Sequence, residues 1–535
     1  MTDLLLRRLG PALAAGFLLA FAGCSGPGND PGAEPAAPRA AASAADSAAP
    51  REAAAAPAGA PASSGGPETV PDPASPSREM PPEPEPVVEP EPVPDAAPAE
   101  PGPHLRVAWT RDVGAGTDVV SYGDQLVLMA LDSEDGRGER VMLGEPASYA
   151  KPLITPDGES IVFTIRQQGA YAIDWDGGGL RRVADGFALD VWADPADGTT
   201  WVYVGGNERP TDPPQYPLVR RHRLDDPTVA EVVWDAQPVS GDSFQVSADG
   251  RTAAALLPWP TAGVIDLESG TWRKLGEGCW TAFSPGLDPL FWYFDGAHRN
   301  LTVVDVDTDE RWGVPINDDP IFGGYEVYHP RWTNDQRAIV LTGPYTVGRR
   351  ANKIRGGGRQ VEIHVGFFDE TVTTVARWQQ VTHNDAPDFY PDAWIEPGTG
   401  PAPHPRSGPR AGPDAPAVAG TDASPVVLEV RVRQEVAPPT PESIAPYREG
   451  LLALEYDVVQ VVEGELDLPV IAVAHWVIRD ARPLAGAVRR AGERLRLTLH
   501  PYDARPELEG KRLVFETADL TLPLFYDVAS ADLTP

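Results

Sequence analysis

One run of carboxylates in the sequence has a spacing that could bind a metal ion. Asp305, Asp307 and Asp309 alternate in "DVDTDERW", as oxygen ligands do in a calcium-binding loop. The sixth position of such a loop is Glu310 here, where a glycine is needed, and the twelfth is Ile316, which cannot supply a bidentate carboxylate. A hairpin turn between two strands is the better interpretation, and we expect no metal and no other cofactor.

The sequence lacks the common motifs of catalysis. Gly-x-Ser-x-Gly, His-Glu-x-x-His, Cys-x-x-Cys and the phosphate-binding loop do not occur in it. His475, Trp476 and Tyr502 could form an aromatic platform for sugars, but packing within a core is the better interpretation of these residues. We therefore predict no catalytic residues and favour a protein that is not an enzyme.

The amino-terminal segment has the pattern of an export signal that ends at a cysteine. Two arginines precede a short apolar run and the sequence "FAGC", which ends at Cys24. The run is too short for a membrane span and has the form of a signal peptide. Small residues before the cysteine resemble the lipobox of bacterial lipoproteins, which implies that residues 1–23 are removed and that Cys24 is acylated. An ordinary cleaved signal with an incidental cysteine is the alternative.

The same resemblance implies where the protein resides. Ser25 after the cysteine favours an exported lipoprotein of the outer membrane, on its periplasmic or surface face, which contacts the membrane only through its lipid. Acylation of Cys24 would leave Cys279 without a disulfide partner, and its surroundings, "GEGCWTAF", predict a small core residue. The formal charge of -34 repels phosphates, so we expect no nucleic acid as a partner.

Two segments of low complexity divide the chain. Residues 24–104 are rich in Ala, Pro and Glu, and residues 396–425 are rich in Pro, Gly and Ala. Neither can bury enough apolar surface to offset the entropy of ordering, so we predict a disordered tether and a flexible linker. The folded regions are then 105–395 and 426–535.

The region 105–395 repeats a strand, a tight turn and a second strand. The turns carry Asp-Gly pairs, whose glycine supplies the positive φ that a tight hairpin needs. The pairs are Asp157 with Gly158, Asp197 with Gly198, and Asp249 with Gly250. A second hairpin follows most of them, which makes four short strands in each repeat. Such repeats, roughly 36 to 55 residues long, predict an all-β fold, a β-propeller of about six blades, with five or seven blades as alternatives.

The segment "QQVTHNDAPDFYPDAWI" resembles the junction between blades in TolB-like propellers, which are built from WD40-like (PD40) repeats. Thr382 matches the end of an outer strand, and Pro391 to Trp394 match the start of an inner strand. The resemblance covers 105–395. It implies that Trp394 is buried at a blade junction and that Asp388 or Asn384 holds a turn.

The end of this segment departs from the TolB-like pattern. Trp394 is followed by Ile-Glu-Pro instead of Ser-Pro-Asp-Gly, so the last blade is truncated. We therefore expect the final strand to close the ring against the strands near 106–131. His383, in the same segment, is interpreted as a turn residue and not as a ligand.

The region 426–535 contains a second β-domain. Val426, Leu428, Val430 and Val432 alternate with polar residues, as in a strand with one buried face. About five or six such strands predict a small antiparallel barrel or sandwich. The stretch "YDVVQVVEGELDLPVIAVAHW" resembles the strand, turn and strand of netrin/TIMP-type OB barrels.

Two functions are compatible with this organisation. The first is a lipid-anchored scaffold whose propeller binds envelope or extracellular proteins without catalysis, as TolB-like propellers bind partner proteins. The second is a protein that binds or modifies envelope polysaccharide through carboxylates of the propeller channel or aromatic residues of the C-terminal domain. Several acids converging on a partly apolar channel would favour the second function, and an apolar channel would favour the first.

Overall fold

The described part of the chain is almost entirely β-structure. The structure is a computed structural model that describes residues 102–114, 122–211, 213–286, 288–346, 358–399, 425–517, 519 and 522–534. The signal peptide 1–23, Cys24, nearly all of the tether and most of the linker lie outside these residues. Within them, no helix has the length and apolar character needed to cross a bilayer.

Six four-stranded sheets form the blades of a propeller. Blade I contains β1 (Leu105–Asp112), β2 (Leu126–Asp132) and β3 (Arg140–Ala147). Blade II contains β4 (Tyr149–Ile154), β5 (Ser160–Ile165), β6 (Gly169–Asp174) and β7 (Arg181–Ala184). The strands of the blade III region are β8 (Phe187–Ala193), β9 (Thr200–Gly206), β10 (Gln215–Tyr216), β11 (Leu218–Arg223), β12 (Ala230–Trp234) and β13 (Val239–Ser240), of which β10 and β13 pair separately.

The other three blades follow the same plan. Blade IV contains β14 (Phe244–Val246), β15 (Thr252–Leu256), β16 (Thr261–Asp266) and β17 (Thr271–Glu277). Blade V contains β18 (Cys279–Phe283), β19 (Leu290–Phe294), β20 (Asn300–Asp305) and β21 (Arg311–Pro315). Blade VI contains β22 (Tyr328–Trp332), β23 (Ala338–Gly343), β24 (Glu362–Phe368) and β25 (Val375–Gln380). The last strand is β26 (Asp388–Ile395), which belongs to blade I.

Burial falls from the inner to the outer strand of a blade. Every residue of β4, β18 and β26 is buried, whereas the first four residues of β17 are exposed. Each of these three inner strands is enclosed by its neighbours on both faces, so all of its side chains are buried, including the charged Lys151, Asp388 and Asp392. The outer strand covers the blade on one side only and stays largely polar.

The Asp-Gly pairs lie in hairpin turns of one common geometry. The Asp157 carboxylate accepts the N–H of Glu159, and Asp197 accepts that of Thr199 in the same way. In the third turn Asp249 accepts the N–H of Arg251. Gly158, Gly198 and Gly250 have φ values of +79°, +76° and +75°. The side chain of each aspartate thus fixes a turn that its glycine makes sterically possible.

The ring closes by pairing the end of the propeller with its beginning. β26 is the innermost strand of blade I and runs antiparallel to β1, with Trp394 opposite Arg106. The chain therefore needs no Ser-Pro-Asp-Gly turn after Trp394, because β1 supplies the next strand of the blade. The expected closure and the expected propeller of about six blades are both confirmed.

The C-terminal domain is a closed five-stranded barrel. Its strands, with two short additions, are β27 (Val426–Val432), β28 (Gly450–Glu463), β29 (Val470–Arg479), β30 (Arg482–Pro483), β31 (Arg494–Pro501), β32 (Arg512–Phe515) and β33 (Leu524–Asp527). The closed circuit runs β27, β28, β29, β33, β31 and back to β27. Three short 3-10 helices cover Tyr502–Ala504, Pro506–Leu508 and Val528–Asp532.

The sequence pattern predicted an antiparallel barrel, but the barrel also contains parallel strand pairs. β33 runs parallel to β29, and the added strand β32 runs parallel to β28. The segment between β31 and β33 is long enough to carry the chain around the end of the barrel, so β33 can enter beside β29 in the same direction.

The barrel packs directly on the β19–β20 loop of blade V. Backbone bonds join Gly296 to the barrel in both directions, from its N–H to Glu509 and from Leu513 to its carbonyl oxygen. A Cβ atom at Gly296 would lie 1.9 Å from the carbonyl oxygen of Lys511. Only a glycine allows this approach, so the propeller and the barrel share a closely fitted interface.

Candidate functional site

Four residues of inner strands turn their side chains into the propeller channel. They have left-handed φ values between +47° and +54°, which side-chain-bearing residues seldom adopt, and each coincides with a shift in strand register. They are Lys151, Trp280, His329 and Tyr390. Pro391 follows the last of them in β26, and a proline follows Lys151 and His329 in the same way.

Three of these side chains close the channel by packing together. The ring centroids of His329 and Tyr390 are 4.7 Å apart, and Trp280 lies 4.8 Å from His329 and 5.4 Å from Tyr390. A space of about 20 Å³ remains at this level, enough for about one water molecule. Burial holds the pKa of His329 well below its usual range, so the imidazole is neutral.

The carboxylates of the channel are held by an arginine. Arg331 in blade VI bonds to Asp190 of blade III at 2.9 Å and to Asp392 of blade I at 3.0 Å. The second oxygen of each carboxylate accepts a backbone N–H of the next blade, that of Val246 or Ile154. Burial raises the pKa of both aspartates, although Arg331 opposes that shift. These acids brace the blades and do not form an available acid–base pair.

Lys151 is a further buried cation of the channel. Its ammonium group donates a hydrogen bond to the carbonyl oxygen of Gly241 at 2.9 Å. Burial and the charge of Arg331 lower the pKa of Lys151 to about 7. The channel is therefore neither plainly apolar nor a cluster of free acids, which were the two arrangements expected from the sequence.

A cavity of about 440 Å³ lies at the mouth of this closed channel. Its volume is within the range of ligand pockets. Its aromatic lining consists of Tyr122, Trp259, Trp280, Tyr328, Tyr390 and Tyr447. Its charged lining consists of Arg166, Glu208, Asp242 and Arg512. Tyr122 and Glu208 are exposed, so this side of the cavity is open to solvent.

The barrel forms one wall of the cavity through the segment 444–447. The ring of Tyr447 stands at 86° to that of Trp259, with centroids 4.9 Å apart. The Tyr447 hydroxyl lies 3.2 Å from Nε2 of His298 and 3.7 Å from Sγ of Cys279. The cavity is thus built jointly by the propeller and the barrel, which the sequence did not predict.

A buried ion pair secures this wall. Arg512 of the barrel is 1% exposed and bonds to Glu326 of the propeller at 2.7 Å. It also donates to the carbonyl oxygen of Gly296 and to Nδ1 of His298, both at 3.1 Å. Burial and the charge of Arg512 lower the pKa of His298, which is therefore neutral.

Cys279 lies in the cavity wall and is unreactive there. It is buried, and its thiol points to Phe294 O at 3.8 Å as well as to Tyr447. Burial raises the pKa of the thiol to about 12, so the nucleophilic thiolate is not formed at neutral pH.

The chain was compared with protein family profiles, with curated proteins and with solved structures. No protein family profile matches the chain, and no curated protein matches it. Among solved structures, TolB from Acinetobacter baumannii has 14% identity and a TM-score of 0.37 over 54% of this chain and 66% of that chain, just under two thirds of its length.

Two further solved structures are similar to the chain at comparable sequence identity. A putative TolB from Agrobacterium tumefaciens has 12% identity and a TM-score of 0.34 over 55% of this chain and 100% of that chain. An oligogalacturonate lyase in complex with manganese has 14% identity and a TM-score of 0.28 over 43% of this chain and 64% of that chain. At such identities the likeness concerns the fold alone.

Trp394 lies between two blades of the propeller. It is 7% exposed, and its indole N–H donates to the carbonyl oxygen of Pro156 at 3.0 Å. A Cβ atom on Gly158 would lie 2.8 Å from the Trp394 ring, so the Asp-Gly turn of blade II receives the indole of blade I. Trp192 rests in the same way on the turn around Gly250.

The side chains of Asp388 and Thr382 accept hydrogen bonds from residues of neighbouring strands. The Asp388 carboxylate, 0% exposed, accepts bonds from the indole of Trp109, the guanidinium of Arg111 and the amide of Asn384. Thr382 is buried and accepts the N–H of Ile363. Asn384 holds the turn by accepting the N–H of Ala386. His383 is exposed, and its backbone N–H donates to the carboxylate of Glu139.

The hypothesis that His475, Trp476 and Tyr502 form an aromatic platform for sugars is wrong. His475 is 0% and Trp476 5% exposed, because both point into the barrel. The imidazole of His475 bonds to Ala487 O, and the indole of Trp476 donates to the hydroxyl of Tyr526. Tyr502 lies elsewhere, in a crevice between barrel and propeller. The buried rings of His475 and Trp476 therefore cannot form a sugar-binding platform with Tyr502.

The carboxylates at 305–309 lie in a hairpin turn between β20 and β21. Asp305 ends β20, and its side chain accepts the N–H groups of Asp307 and Thr308. Within the part of the chain that the structure describes, no group of three or more His, Cys, Asp or Glu side chains could hold a metal ion.

Proposed function

We propose that this protein is an exported, lipid-anchored scaffold of the bacterial envelope. Its TolB-like propeller binds a partner protein at the mouth of the channel and performs no catalysis. The cavity shared by propeller and barrel carries this proposal. It offers an aromatic surface open to solvent, whereas the acids deeper in the channel are engaged with Arg331 and backbone N–H groups.

A rigid support suits this role. The walls of the cavity come from strand ends of several blades and from the barrel, and the buried pair of Arg512 and Glu326 joins these parts. A preformed surface loses little entropy when a partner binds, so more of the contact energy appears as affinity. The tether would then hold this surface away from the membrane.

The anchor is tested by Cys24→Ser. We expect the variant to lose labelling by an alkyne analogue of palmitate and to remain unprocessed, because the acylated thiol is gone. Cys279→Ser is the matched control and should be labelled like the wild type, since that thiol is buried. Equal labelling of the Cys24→Ser variant would disprove the anchor.

Partner binding is tested by photo-cross-linking in the native cells. p-Benzoylphenylalanine replaces Glu208 at the exposed rim of the cavity, or Val232 on the outer strand β12, which is 50% exposed. We expect a discrete protein adduct from position 208 and none from position 232. Equal adducts from both positions, or none from position 208, would contradict a binding site at the channel mouth.

Polysaccharide binding or modification is the second candidate function. The aromatic lining of the cavity, with the carboxylates of Asp242 and Glu208 beside it, favours this candidate. The cross-linking experiment separates the two functions. An adduct from position 208 that resists protease and is degraded by glycosidases would replace the proposed protein partner by a glycan.

A further inference from the structure

The walls of the mouth cavity include aromatic rings that stand nearly perpendicular to one another. Trp259 meets Tyr447 at 86°, and Trp280 meets Tyr328 at 75° and Tyr390 at 70°. The centroids in these pairs are 4.9, 5.2 and 5.4 Å apart. All five of these rings line the cavity, and each perpendicular contact sets the edge of one ring against the face of its partner. Ring faces carry the negative part of the aromatic quadrupole and attract cations.

A carboxylate lies in the same wall. Asp242 accepts the hydroxyl hydrogen of Tyr390 at Oδ1, which fixes the position of the carboxylate. Its other oxygen, Oδ2, accepts no hydrogen bond from any residue in the described ranges. Asp242 is half-buried and borders both the cavity and the channel. A second carboxylate, Glu208, lies at the exposed rim.

Three cations border the cavity or the channel beside this carboxylate. Lys151 lines the channel space together with Asp242 and bonds to the carbonyl oxygen of Gly241. Arg512 is paired with Glu326 inside the wall. Arg166 lies over the rings of Tyr122 and Phe187, with its guanidinium carbon 4.6 and 5.4 Å from their centroids. Arg166 thus shows that a cation packs on aromatic rings at this rim. The whole chain carries a formal charge of -34, which attracts basic partners.

We propose that the cavity binds a lysine or arginine side chain of a basic segment in the partner protein. The ring faces of Trp259, Trp280 and Tyr390 surround the aliphatic stem and the cationic head, and Oδ2 of Asp242 accepts a hydrogen bond from the head. This inference rests on the proposed function and specifies the chemistry of its partner. The opposite arrangement would be an acidic segment of the partner whose carboxylates pair with Arg166.

The test measures binding of three dye-labelled peptides to the full chain in detergent, by fluorescence anisotropy at low salt. Their repeated sequences are Gly-Arg-Gly, Gly-citrulline-Gly and Gly-Glu-Gly. Citrulline has the shape of arginine without its charge. We expect the arginine peptide to bind about tenfold more tightly than the citrulline peptide, the glutamate peptide to bind least, and added salt to weaken the binding.

Two substitutions assign the binding to the cavity. Asp242→Asn keeps an acceptor for Tyr390 and removes the charge, and Trp259→Leu removes one ring face. Each should weaken binding of the arginine peptide about tenfold. The matched controls Glu268→Gln and Trp272→Ala change a charge and an exposed indole on outer parts of the same blade, and both should bind like the wild type.

Several results would overturn the inference. These are equal binding of the citrulline peptide, tighter binding of the glutamate peptide, no binding of any peptide, or unchanged binding by Asp242→Asn. The proposed function is judged separately by the adduct at position 208. An adduct together with indifference to peptide charge keeps the scaffold and rejects the cationic ligand, whereas the absence of an adduct rejects the scaffold.

Discussion

Arg512→Ala is expected to destabilise the folded chain by about 3–5 kcal/mol, because it leaves Glu326 buried without its counter-charge. The loss should appear as a lower midpoint in urea denaturation of the full chain. The barrel should also separate from the propeller at lower denaturant concentration, since the guanidinium joins Glu326, His298 and Gly296 across the interface.

A double substitution is the control for this prediction. Arg512→Met with Glu326→Leu removes both charges and keeps most of the apolar volume, so much of the stability should return. Arg512→Met alone should remain destabilised. A loss below about 1 kcal/mol in the Arg512→Ala variant would show that the interface does not depend on the pair.

The pH dependence of the same variants gives an independent check. Burial alone would raise the pKa of Glu326, but the charge of Arg512 and the hydrogen bond from its guanidinium lower that pKa from 4.5 to about 2. A lowered pKa stabilises the folded state above pH 4.5, and this contribution is lost as the pH falls towards 2. The stability difference between the wild type and Arg512→Met should therefore narrow over that interval.

Trp394→Ala is expected to cost about 3–5 kcal/mol, because it removes a large buried ring from the junction of blades I and II. Trp394 lies in β26, the strand that closes the ring against β1. A defect there weakens the closure, so we expect one cooperative unfolding transition at lower temperature and no separate local transition.

The matched control is His383→Ala, in the same segment of the sequence. This exposed side chain should change stability by no more than about 1 kcal/mol. Thermal unfolding should be followed in the full chain, since an isolated propeller would lose the barrel that covers Gly296. If Trp394→Ala were tolerated while His383→Ala abolished partner binding, this segment would be a functional site and not a blade junction.

The sequence by itself determined the elements that depend on neighbouring residues. Asp-Gly pairs at 157–158, 197–198 and 249–250 specify tight turns by local hydrogen bonds and positive φ, so their repetition predicted the blades. The absence of a Ser-Pro-Asp-Gly turn after Trp394 predicted the closure with β1. Without that turn, the strand that ends at Ile395 needs a partner strand from another part of the chain. The alternation from Val426 to Val432 predicted the first barrel strand.

Only the tertiary structure decided the state of the channel and the place of the cavity. Arg331 meets Asp190 across 141 positions of the sequence, and Arg512 meets Glu326 across 186. No local sequence pattern records such pairings, because they arise only when the fold brings distant parts of the chain together. The residues at 151, 280, 329 and 390 point into the channel because of their left-handed backbone, of which a following proline is only a partial sign. The burial of His475 and Trp476 likewise follows from the closure of the barrel, which sets the face that each strand turns inward.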